Sequence, residues 1–158
     1  MPNGQVPVLT VDGYMLPQSL AILRYVGRLT GLYPTDDLDA AKCDAIMDCG
    51  VELSAKVRPT MFEKDEEKKV AMRKHLSEDT APAWLGHMSK HLEAAGGTYF
   101  CGGKLSIADI AIVAMLGVMK KLDHMDPELL TPHPTLAALV KTVTEEPKIA
   151  AFIAKHAK

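Results

Sequence analysis

Residues 4 to 25 read Gly4-Gln5-Val6-Pro7-Val8-Leu9-Thr10-Val11-Asp12-Gly13-Tyr14-Met15-Leu16-Pro17-Gln18-Ser19-Leu20-Ala21-Ile22-Leu23-Arg24-Tyr25, and their order decides the fold class. Val6, Val8, Leu9 and Val11 favour extended backbone. Asp12-Gly13 is a strong hairpin turn, after which Tyr14-Met15-Leu16 returns as a second strand. Pro7 lies inside the first strand and cannot donate to the ladder, so it belongs at an edge or in a special conformation. Pro17 is expected to open a helix lined by Leu20, Leu23, Val26 and Leu29, stopped by Gly31 in a left-handed conformation. This opening is a strand, a turn, a strand and a helix.

Downstream of Leu32-Tyr33-Pro34 the pattern becomes wholly helical. Thr35 or Asp36 caps a helix expected to run to about Lys56, with Leu38, Ala41, Ala45, Cys49, Leu53 and Val57 as its apolar stripe. Arg58-Pro59 is expected to end or kink it. The charged stretch Glu63 to Lys69 reads as a solvated turn. It leads to a helix carrying Val70, Leu76, Trp84, Leu85, Met88 and Leu92, with a kink at Pro82 and a stop at Gly96-Gly97. Ser106 to about Leu122 is apolar on nearly every side, which places it at the centre of its domain. Ser106 and Asp109 form a capping box flanked by Leu105 and Ile110. Two amphipathic helices follow, about Thr135–Glu145 and Pro147–His156. The expected packing is one bundle around the Ser106–Leu122 helix.

The bulk numbers fit a soluble globular chain. It has 158 residues, 47% hydrophobic and 24% charged, with a net charge of −2. That balance carries no basic footprint for nucleic acid and no attraction to anionic membranes. The three cysteines, Cys43, Cys49 and Cys101, form no CxxC and read as reduced and cytosolic. MPNGQVPVL has neither the basic start nor the apolar core of a signal peptide. His87 and His91 share a helix face but have no third ligand nearby in sequence, so exposure outweighs metal binding. Cys101 has only Lys104 as a basic neighbour, and reads as a half-buried bystander rather than a reactive thiol.

Three features carry a family resemblance: Gln5-Val6-Pro7, the Asp12-Gly13 turn, and Gln18-Ser19 opening a helix. Together, at this spacing, they closely resemble the second half of the thioredoxin-like glutathione-binding domain of the cytosolic glutathione transferases. The surrounding residues are similar to the sigma-type branch. The resemblance covers nearly the whole chain. It implies a mainly α fold: a partial thioredoxin-like α/β domain over 1–33, followed by an all-helical domain over 35–158.

The resemblance also implies a site. Val6–Pro7 would be cis, turning the Val6 backbone outward to pair with the cysteinyl part of glutathione like an added strand. Gln18 and Ser19 would hold the γ-glutamyl end at a helix N-terminus, where free N–H groups favour an anion. Gln5 belongs to the same binding stretch. Glu52 aligns with an acidic position that, in several classes, reaches glutathione in the neighbouring subunit. Taken singly, each feature has a plainer reading: an edge proline, a helix cap, a solvated glutamate. Glutathione is thus expected as a substrate with no metal. The partners would be a small hydrophobic electrophile and a second copy of the chain, in the cytoplasm. Asn3 stands where some branches carry an aromatic dimer key, implying a more polar interface.

In the family a Tyr, Ser or Cys near the first strand favours the glutathione thiolate, the nucleophile of conjugation. The strand, helix and strand that would carry it have no counterpart in this sequence. Tyr14, Tyr25, Tyr33 and Tyr99 do not match its position, so the catalytic residue stays unassigned. The expected activity is glutathione transfer to small apolar electrophiles, or glutathione-dependent isomerisation. A non-catalytic transferase-like binding or interaction module is the second reading.

Overall fold

The computed structural model describes residues 1–2 and 4–156; Asn3 lies outside the described residues. Strands β1 (Val8–Val11) and β2 (Tyr14–Pro17) pair antiparallel, with Val8 opposite Pro17 and Val11 opposite Tyr14. Asp12 and Gly13 turn the hairpin at φ 48° and 82°, the left-handed geometry for which Asp-Gly is suited. The Val6–Pro7 peptide is cis.

Pro17 closes β2 instead of opening a helix. Helix α1 runs Ser19–Thr30, with Gln18 at its N-cap and Gly31 left-handed at its C-terminus. The expected stripe on α1 is only half right. Leu20 and Leu23 pack on the core, but Leu29 is 69% exposed and Val26 also faces outward. Gly27 takes their place: it is buried, and a Cβ there would lie 2.7 Å from Ile107 Cγ2. A side chain at residue 27 would therefore push α1 off the helical domain.

The all-helical part comprises α2 (Asp37–Phe62), α3 (Glu66–His75), α4 (Ala81–Ala94), α5 (Ile107–Lys120), α6 (Pro134–Glu145) and α7 (Pro147–His156). Asp36 caps α2, accepting from Leu38 and Asp39 N–H at 3.0 Å. The α2 stripe differs from expectation in its first half. Cys43, Ile46 and Met47 are buried, whereas Leu38 is exposed along with Ala41 and Ala45. Leu53 and Val57 are buried as expected. The face of α2 that meets α5 is the one carrying Cys43, Ile46 and Met47, so it is buried in place of the expected one. Pro59 does not end α2 either; the helix continues to Phe62.

Pro82 is accommodated by a change of helix type. A π-helical turn, Leu76–Thr80, joins α3 to α4, and the Ala81 N–H reaches back to Leu76 O. The wider turn lies just before the residue that lacks an N–H, which is a common resolution of a proline in a helix.

Helix α5 sits at the centre, packed on α1, α2 and α6. It buries Ile107, Ala108, Ile112, Val113, Leu116 and Met119. It is not enclosed on every side, since Ala114, Gly117 and Val118 face outward. Its N-terminal capping box forms. The Asp109 carboxylate accepts from Ser106 N–H at 2.8 Å, Ser106 Oγ at 2.7 Å and Phe100 N–H at 2.9 Å. One carboxylate thus holds both the start of α5 and the loop that precedes it.

The hairpin–helix unit is joined to the bundle through polar contacts as well. Arg24 Nε donates to Asp44 Oδ1 at 2.7 Å, and Tyr33 Oη donates to Asp44 Oδ2 at 3.0 Å. Arg28 lies over the Tyr33 ring at 4.6 Å, a favourable cation–π distance. The Ile107 N–H donates to Leu32 O at 2.9 Å, tying the linker to the first turn of α5.

Candidate functional site

The start of the hairpin and the N-terminus of α1 meet at one end of the molecule. Between them lies a small polar cavity of about 120 Å³, lined by Gln5, Val6, Pro7, Pro17, Gln18, Ser19 and Arg58. The first three residues precede β1, the next three run from the last residue of β2 to the first of α1, and Arg58 comes from α2. Antiparallel pairing of Val8 with Pro17 is what brings the two chain segments side by side.

Gln18 has φ 75° and ψ 112°. A non-glycine residue in that region is uncommon and strained, and such residues cluster at ligand sites. No side chain caps α1. The Ile22 N–H is the first to find an intrahelical acceptor, Gln18 O at 2.9 Å. The preceding N–H groups of α1 therefore face the cavity end of the helix, where the partial positive charge of the dipole is concentrated. Val6 is 75% exposed, and among the described residues no backbone hydrogen bond engages it. Its N–H and C=O are available for pairing with an extended ligand.

Five of the six residues expected from the sequence therefore line one cavity: Gln5, Val6, Pro7, Gln18 and Ser19. Glu52 does not; it is an exposed residue of α2 outside the cavity. Arg58 does line it, though the sequence reading treated it only as a helix-ending neighbour of Pro59. The available signal was one cation ahead of a proline, which says nothing about where the helix crosses the hairpin. Among the described residues Arg58 has no ion-pair partner, whereas Arg24 pairs with Asp44 and Lys68 with Glu63.

None of Tyr14, Tyr25, Tyr33 and Tyr99 lines the cavity. Tyr33 is buried, and burial followed by its bond to Asp44 pushes its hydroxyl upward, away from proton loss. Cys101 is more buried than expected, at 2% exposed, and Cys43 is fully buried. The neighbouring Cys43 thiol and burial push the Cys101 thiol far up, away from proton loss. Cys101 is thus an inert core residue. His87 and His91 are exposed, and among the described residues no group of three His, Cys, Asp or Glu side chains is placed to hold a metal.

Comparison with known proteins places the sequence and the fold in one family. The glutathione S-transferase C-terminal domain family matches residues 51–156, and the N-terminal domain family matches residues 1–28. The chain is 34% identical over 165 residues to glutathione S-transferase 1 of Ascaris suum, covering 99% of this chain and 76% of that protein. It is 35% identical over 159 residues to S-crystallin SL11 of Nototodarus sloanii, covering 99% of this chain and 76% of that protein. The structure of prostaglandin synthase D of Nilaparvata lugens superposes with a TM-score of 0.87 at 32% identity, covering 98% of this chain and 76% of that one. The chain thus spans about three quarters of the length of these relatives. With both domain families matched in order, and with identity at this level along nearly its whole length, the chain belongs to the glutathione S-transferase family.

Proposed function

We propose that the cavity beside Gln18 and Ser19 is where this chain holds the γ-glutamyl end of glutathione, and that the bound thiol is the nucleophile of a glutathione transfer to a small apolar electrophile. The observation that carries this reading is the meeting of Gln5, Val6, Pro7, Gln18 and Ser19 in one small polar cavity at an uncapped helix start. At about 120 Å³ the cavity is small, which suits one amino-acid end of a peptide. The remaining part of glutathione would lie along the free backbone of Val6 as an added strand. Residues 1–33 act as the glutathione-binding unit and 35–158 as the helical unit that supports it. Glu52, outside the cavity, acts toward the site of a second subunit in a homodimer. The setting is cytoplasmic.

Calorimetric titration with glutathione tests this reading. The double variant Gln18→Ala/Ser19→Ala is expected to bind at least about tenfold more weakly, since it removes polar partners of a charged group. Failure of the parent chain to bind glutathione, or equal affinity in the double variant, would remove the assignment.

A further inference from the structure

Arg58 is the one cation among the residues lining the cavity, and it reaches it from the helical domain. The other lining residues, Gln5, Val6, Pro7, Pro17, Gln18 and Ser19, carry no charge and all belong to the hairpin and the start of α1. Among the described residues no carboxylate pairs with Arg58. The acidic residues nearest to it along the chain are Glu52, which does not line the cavity, and Glu63, which is engaged by Lys68 at 2.8 Å. A guanidinium presents a planar fork suited to a carboxylate, and charge-assisted bonds of this kind are roughly twice as strong as neutral ones. Helix α2 runs unbroken through Pro59 to Phe62, and this continuity is what carries Arg58 across to the hairpin. Had the helix ended near Lys56, Arg58 would not lie on it.

We infer that Arg58 is a specificity-determining residue of this site: it pairs with the α-carboxylate of a γ-glutamyl group and so selects γ-glutamyl peptides over peptides that lack one. The inference rests on the assignment of the cavity to glutathione. It also has a structural consequence. The ligand spans both units, with Gln18 and Ser19 on the hairpin side and Arg58 on α2, so binding links the two.

The experiment is a ligand-by-residue cycle, using the full chain and titration calorimetry. Glutathione, γ-glutamylcysteine and cysteinylglycine are titrated into the parent, Arg58→Gln and Arg58→Lys. Arg58→Gln is expected to weaken glutathione and γ-glutamylcysteine by about tenfold or more, as for loss of a hydrogen bond to a charged group. Cysteinylglycine, which lacks the γ-glutamyl carboxylate, is expected to change by less than about twofold. Arg58→Lys should recover part of the loss, and the recovered part should shrink as salt is raised. Residue 58 is solvent-exposed on α2, so the substitutions leave the core untouched. Equal glutathione affinity in parent and Arg58→Gln, with Gln18→Ala/Ser19→Ala still weakened, overturns the inference and leaves the site assignment standing. A uniform loss for all three peptides also overturns it, because Arg58 would then act as a general electrostatic attractor. Absence of glutathione binding by the parent instead overturns the site assignment itself.

Discussion

Replacing Asp109 by alanine should cost more stability than any other single polar substitution in the chain. The carboxylate is fully buried and accepts three bonds, from Phe100 N–H, Ser106 N–H and Ser106 Oγ. After truncation the Ser106 hydroxyl can rotate toward another acceptor, but the two backbone donors cannot move. Each buried donor left without an acceptor costs about 1–3 kcal/mol, so the expected loss is about 2–6 kcal/mol. Total stabilities are about 5–15 kcal/mol, so this is a large fraction. Asp109→Asn is the graded control. Its single carbonyl oxygen can keep the Ser106 side, while its amide then faces the Phe100 N–H, for a loss of about 1–3 kcal/mol. The assay is urea denaturation, reading the midpoint at constant slope. A loss below about 1 kcal/mol for Asp109→Ala would refute the reasoning, because the donors would then have found other partners. The pH dependence is a second check. Burial pushes the Asp109 carboxyl above its usual range, opposed in part by its hydrogen bonds to Phe100 and Ser106. A folded value raised above the unfolded one means that the folded chain holds the proton more tightly. The contribution is then fully present below the ordinary aspartate value and is lost as pH rises through the raised one. The stability of the parent relative to Asp109→Asn should therefore be greatest in acid and decline toward neutral pH.

Three further outcomes are expected. Gly27→Ala should destabilise by about 1 kcal/mol net: overpacking against Ile107 Cγ2, 2.7 Å from the new Cβ, outweighs the helix-propensity gain; a raised thermal midpoint would contradict it. Ser106→Ala should lose about 1 kcal/mol with its cap hydroxyl, and an unchanged urea midpoint at unchanged slope would count against the cap. The 158-residue chain, purified alone, should conjugate glutathione to a chloro-nitrobenzene acceptor far more slowly than a longer relative. None of its tyrosines lines the cavity, and a free thiol near pKa 8.5 is only a few per cent ionised at pH 7; full turnover would mean that Ser19 or another hydroxyl activates the thiol.

The linear sequence determined the features governed by local chemistry. Asp12-Gly13 made the hairpin, because only a few residue types tolerate a left-handed turn. Gly31, Asp36 and the Ser106–Asp109 box marked helix ends, because capping is a matter of neighbours three or four residues away. Gln5, Val6, Pro7, Gln18 and Ser19 were legible through the resemblance of their motifs, at this spacing, to the glutathione transferases; Pro17, which also lines the cavity, was read only as a helix opener. Tertiary structure decided what depends on which surfaces meet. It buried Gly27 in place of Leu29, because α1 approaches α5 too closely for a side chain. It chose Cys43, Ile46 and Met47 over Leu38 and Ala45 for the inner face of α2, because α5 sets that face. It carried α2 through Pro59, since the loss of one backbone bond is small beside the packing of a long helix. Arg58 became a cavity residue only through that continuation, 39 positions beyond Ser19 in sequence and beside it in space. No local pattern encodes such a neighbour, because it arises where one rigid helix crosses another unit of the fold.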